Sequence, residues 1–74
     1  MIIKTDKYVY NTVCDIIIHD KKYVGIDDDT MCDIADNVTE LVLEDEDSYV
    51  SYPMFINTCI LYIDNYMKLH NLCD

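Results

Sequence analysis

Arginine is absent from this chain, and five lysines face fifteen Asp and Glu, a formal net charge of −10 over 74 residues. A surface of that sign repels nucleic-acid phosphates and anionic membranes, so direct binding to either is not expected. The single glycine, Gly25, leaves no glycine-rich loop to cradle a phosphate and no nucleophile elbow around Ser48 or Ser51. With one proline, Pro53, and no low-complexity tract, nothing marks a linker, and residues 1–74 read as one small acidic domain. Long apolar runs are also missing. The longest stretch without a charge, 48–63, contains Pro53, Asn57 and Thr58 and is too short to span a bilayer. The first residues lack a basic segment followed by an apolar run, so no secretory leader is read there. Cys14, Cys32, Cys59 and Cys73 accordingly read as reduced thiols of a cytoplasmic chain.

What is present is apolar content: 51% of residues are hydrophobic and are interleaved with the acids. A disordered acidic segment lacks that content, so the chain reads as a compact domain wrapped in negative charge. A domain of this size buries only about 60% of its unfolded surface and is marginally stable, and self-repulsion lowers stability further. Phe, Tyr, Met, Ile, Asn and Lys total 32 residues against three for Gly, Ala, Arg and Pro, the coding bias of an AT-rich genome such as many large DNA viruses, phages and parasites carry.

Residues 8–18 are rich in Tyr, Val, Thr and Ile, types that suit a pleated surface. They predict a hairpin, 13–18 paired with 22–26 across the break His19-Asp20-Lys21-Lys22, with 1–4 as an edge strand. Asp27-Asp28-Asp29 then reads as the cap and first turn of a helix over 29–38, on the spacing of Met31, Ile34, Ala35 and Val38. Residues 39–44 read as a strand. From Pro53, placed at the first helical position, to about 71, Phe55, Ile56, Cys59, Ile60, Ile63, Tyr66, Met67 and His70 follow helical spacing. Ile60, Ile63 and Met67 are expected to face the core, with Asp64 and Lys68 exposed. The expected fold class is α+β: a three- or four-stranded sheet packed with a short helix and a long C-terminal helix. That last helix is apolar over more than half its circumference, which calls for a partner surface or a homodimer.

Several constellations carry residue types capable of chemistry. Cys14-x4-His19 with His70-x2-Cys73 offers four soft ligands for zinc, but neither pair has the usual spacing, and ordinary thiols with surface histidines are the plainer reading. Asp27-Asp28-Asp29 lacks the alternation of a calcium loop. Cys32 and Cys59 occupy apolar helical positions and read as core. No carboxylate pair is set apart as an acid and a base, so neither a catalytic residue, a cofactor nor a metal is expected. The residues expected to bind a partner are the acidic run Glu44, Asp45, Glu46 and Asp47 with Tyr49, Tyr52, Tyr62 and Tyr66, since tyrosine beside acids is interface chemistry.

The segment Cys14-Asp15-Ile16-Ile17-Ile18-His19-Asp20-Lys21-Lys22-Tyr23 resembles the opening hairpin of the BTB/POZ family, the fold of elongin C and of ubiquitin-ligase adaptors. Thr30-Met31 with Ile34, then Leu41-Val42-Leu43 and Phe55 to Tyr66, are similar to the helix, third strand and following helix of that family, over residues 13–68. The resemblance implies a minimal protein-binding adaptor or decoy. The expected function is thus a non-enzymatic inhibitor or adaptor that meets a basic protein surface. Two alternatives stand beside it: a nucleic-acid mimic that fills a basic cleft, and a small structural subunit of a larger assembly.

Overall fold

The computed structural model describes residues 5–23 and 25–70. Among them every regular element is helical: α1 (Asp6–His19), α2 (Asp28–Glu44) and α3 (Tyr52–Leu69), with a 3₁₀ turn at Lys21–Tyr23 before α2 and another at Glu46–Tyr49 after it. No strand occurs among the described residues, so the expected α+β class is corrected to a three-helix, all-α fold. The edge strand expected at 1–4 lies outside the described residues. The strand–strand–helix–strand–helix order behind the likeness to BTB/POZ domains is replaced by three helices among the described residues.

The correction has a physical cause in α1. Tyr, Val, Thr and Ile favour strands by a modest margin that tertiary burial overrides. Val9, Val13 and Ile17, one turn apart, are buried together while Asn11 and Asp15, which a strand would place on the same face, are exposed, as a helix allows. Thr5 caps the helix by accepting the Tyr8 N–H at 3.1 Å, and Asp6 in the first turn suits the positive end of the helix dipole. The break expected to turn a hairpin instead ends the helix. Asp20 N–H donates to the Ile16 carbonyl at 3.0 Å, and the Asp20 carboxylate accepts the Lys22 N–H at 3.1 Å. Gly25 (φ +95°) then takes the chain through a left-handed conformation open to glycine.

In α2 the expected start is right and the expected end is not. Asp27 stands at the N-cap with Asp28 and Asp29 in the first turn. The Thr30 hydroxyl, and then its backbone N–H, hold the Asp27 carboxyl below its ordinary value without closing a tight cap bond. Residues 39–44 continue the helix because Val38, Thr39 and Val42 extend the buried face begun by Ile34 and Ala35.

α3 matches its expectation closely. Ser51 caps it, accepting the Met54 N–H at 3.4 Å, and Pro53 takes the second helical position rather than the first. Phe55, Cys59, Ile63 and Met67 are buried, while Ile60 is half-buried. α1 packs mainly on α2 and α2 on α3, and the turn at Glu46–Tyr49 lies along α3. α3 is therefore covered on two sides, as its wide apolar stripe requires, although Leu61 remains 54% exposed. No helix among the described residues is long and apolar enough to cross a membrane.

Candidate docking surface

The turn after α2 is built to close a helix end. The Ser48 hydroxyl, fully buried, lies 2.8 Å from the Val42 carbonyl and 2.6 Å from that of Asp45, shared between two acceptors. The Tyr49 hydroxyl donates to the Leu43 carbonyl at 2.7 Å. These donors satisfy carbonyls that the end of α2 leaves open. Asp45 caps the 3₁₀ turn by accepting the Asp47 N–H at 2.9 Å, and its other oxygen accepts the Tyr62 hydroxyl of α3 at 2.6 Å. That bond pushes the Tyr62 phenol above its ordinary pKa. Asp45 and Tyr49, read from the sequence as partner contacts, are thus structural members of the turn.

Around this scaffold, Glu44, Glu46 and Asp47 are exposed and, with Asp45, Tyr62 and Leu41, line a shallow groove of about 450 Å³. Among the described residues none that lines the groove is basic, and the last turn of α2 carries no cation. A helix C-terminus bears a partial negative charge, so acids there are placed against the dipole. Leu41, 47% exposed, sets an apolar side chain among these carboxylates. It was missed in the sequence because 39–44 read as a strand. Helical spacing sets it seven residues after Ile34 and three after Val38, at the edge of the buried face, and its exposure follows from the packing of the helices.

The other expected partner residues do not join this groove. Tyr52 packs edge-on to Phe55 at 6.1 Å between ring centroids, and Phe55 stacks with Tyr8 at 5.6 Å. Tyr66 stacks on His70 at 4.1 Å. The four-ligand zinc arrangement falls partly on Cys73, outside the described residues. Among those described, no group of three His, Cys, Asp or Glu is placed to hold a metal ion. Cys59 is buried as expected, but Cys32 is exposed; the nearby Cys32 thiol first, and burial second, push the Tyr10 phenol up to about 12. Burial raises the Cys14 thiol as well, with Cys32 adding to the shift.

The turn before α2 uses similar parts with a different balance. Tyr23, only 3% exposed, donates its hydroxyl to Asp64 of α3 at 2.8 Å. Lys22 Nζ meets the other Asp64 oxygen at 3.2 Å. Asp64, expected to be exposed, is half-buried in this clamp.

Comparison with known protein families, with curated proteins and with solved structures finds no match to this chain.

Proposed function

We propose that this chain is a non-enzymatic, cytoplasmic protein-binding module, an inhibitor or adaptor that docks a basic surface of another protein on the acidic shoulder after α2. The observation that carries the reading is the uncompensated charge there. Glu44, Glu46 and Asp47 crowd the negative end of a helix dipole with no cation among the described residues of the groove and an exposed Leu41 in their midst. A partner presenting Lys or Arg around an apolar side chain would relieve that repulsion and cover Leu41 at once. A second copy of the chain suits this place poorly, because it brings the same −10 charge. Tyr62 and Asp45, tied to each other, give the shoulder a rigid floor.

The test is affinity capture from the cell of origin with wild-type, Glu44→Gln/Glu46→Gln/Asp47→Asn and Leu41→Ser baits. A basic protein should be retained by wild type. The charge variant should slow association and weaken salt dependence, while Leu41→Ser should speed dissociation. A nucleic-acid mimic would behave otherwise. Its affinity would vanish on charge neutralisation through faster dissociation, and Leu41→Ser would leave it unchanged.

A further inference from the structure

Cys14 of α1 and Cys32 of α2 are brought level by the way the two helices run. One groove is lined by Asp6 and Tyr10 near the start of α1 and by Asp36 and Glu40 in the later part of α2. Early residues of α1 therefore lie beside late residues of α2, and the pair is antiparallel. A step of one turn forward along α1 is then matched by a step of one turn back along α2. With Asp6 level with Glu40 and Tyr10 level with Asp36, the next turn sets Cys14 level with Cys32. Electrostatics agrees with that register. The Cys14 thiol is pushed up by burial first and by Cys32 second, and the Tyr10 phenol, one turn away, is raised by both thiols. Packed helices stand about 8–10 Å apart between axes, with Cα atoms about 2.3 Å from each axis. Level positions at such an interface fall within reach of the about 4.4–6.8 Å between Cα atoms that a disulfide spans.

The two thiols are unbridged and differ in environment. Cys14 is half-buried against the core, whereas Cys32 is exposed. Cysteine usually serves as a small buried hydrophobe, and Cys59 does so here, but packing gives no account of Cys32. An oxidant in solvent meets Cys32 first, and the oxidised sulfur then stands beside a second, less accessible thiol. That is the arrangement of an attacked thiol and a resolving one. α1 is also the helix that a covalent tie would help most. It buries three side chains against five in each of α2 and α3, and it rests mainly on α2.

We propose that Cys14 and Cys32 are a peroxide-sensitive dithiol pair whose oxidation staples α1 to α2. The Cys32 thiolate attacks hydrogen peroxide, an S–O bond forms as the O–O bond breaks, and the thiol's proton completes the departing water. Cys14 sulfur then attacks the resulting sulfenic acid. An S–S bond forms, the S–O bond breaks, and a second water leaves with the Cys14 proton. Two thiols together lose two electrons, and the peroxide is reduced to two waters. In a reducing compartment such a bond is transient and is undone by dithiol exchange, so the stability of the domain follows the redox state. The pair is separate from the acidic shoulder, since no thiol is among the described residues that line that groove.

The test treats the reduced full chain with equimolar hydrogen peroxide. Trypsin with a glutamate-specific protease, applied without reductant, places the four cysteines on four peptides for mass spectrometry. The Cys14 and Cys32 peptides should be joined within one chain. The melting temperature should rise by roughly 10 °C and amide exchange in α1 should slow about tenfold or more, each reversed by dithiothreitol. Cys32→Ser should lose the bond and the thermal gain. Cys14→Ser should lose both as well, and should leave Cys32 as a sulfenic acid that dimedone traps. Cys73→Ser should change neither. Bonds between two chains, or bonds to Cys59 or Cys73 in place of this pair, would overturn the proposal. So would a Cys14–Cys32 bond that leaves the melting temperature where it was, or Cys32 carried to the sulfinic acid with Cys14 still reduced.

Discussion

The two connections that flank α2 are made from the same parts and differ in one. Each is a 3₁₀ turn, each is tied to α3 by a tyrosine hydroxyl on an aspartate, at 2.8 Å for Tyr23–Asp64 and 2.6 Å for Tyr62–Asp45, and each adjoins a run of acids. Before α2, the acids Asp27, Asp28 and Asp29 face the positive end of the helix dipole, and Lys22 balances Asp64. After α2, Glu44, Asp45, Glu46 and Asp47 face the negative end, and no base is among the described residues that line their groove. The first connection is electrostatically complete and serves the fold. The second holds its backbone together through Ser48 and Tyr49, yet keeps its exposed charges in an unfavourable place. Acidity by itself therefore says little about binding; its position against the helix dipole and its counter-charges decide.

The harshest way to break the comparison is to disrupt both tethers together. Ile63 lies fully buried between Tyr62 and Asp64, the two α3 residues that hold the turns. Ile63→Asp buries an unpaired charge there and should cost on the order of 4–5 kcal/mol, enough to unfold so small a domain. Circular dichroism with an unchanged melting temperature would contradict the packing of α3.

Removing one closure comes next. Ser48→Ala deletes the hydroxyl shared by the Val42 and Asp45 carbonyls and should lower stability by about 1–3 kcal/mol in urea unfolding, leaving the Tyr23–Asp64 connection intact. Hydrogen exchange should then quicken at the end of α2 and not at its start. Uniform quickening along α2 would deny that the two connections are independent.

Alkali probes the turn before α2 in another way. Folding raises the Tyr23 phenol from its ordinary value of 10 to about 12, through burial first and the bond to Asp64 second. A raised acid is favoured protonated in the folded state, so its contribution is complete below pH 10 and is lost as the pH climbs towards 12. Melting temperature should fall across that window. Tyr23→Phe, less stable at neutral pH, should show a shallower fall; an equally steep one would place the sensitivity elsewhere.

The smallest effects carry opposite signs. Asp28→Asn/Asp29→Asn should destabilise, because acids favour a helix start, whereas Glu44→Gln/Glu46→Gln/Asp47→Asn should leave stability unchanged or raise it, by roughly 0.3–1 kcal/mol per charge at low ionic strength and less in salt. Equal signs for the two sets would remove the distinction on which the docking surface rests.

α3 was legible because its signals agree: a serine cap, an early proline and an apolar stripe sustained from Phe55 to Met67. α1 was not, since Val9, Val13 and Ile17 lie among residues that also suit a strand, and local preference cannot tell which period the core will reward. The same ambiguity cut α2 short at Val38 and hid Leu41 among supposed strand residues. Of the expected partner residues, the acidic run and Tyr62 meet in one groove, but the sequence held no sign that Asp45, Tyr49 and Ser48 close a helix end.

Composition and order alone determined the negative charge, the place of Asp27 to Asp29 at a helix start and the long last helix, because these depend on residue type and on spacing within one segment. Whether Tyr8 to Ile18 became helix or strand, which acids stand against a dipole, and the meeting of Cys14 with Cys32 were decided by tertiary structure. Burial is a property of what lies across the core, and charges act through neighbours that the chain brings together only when it folds.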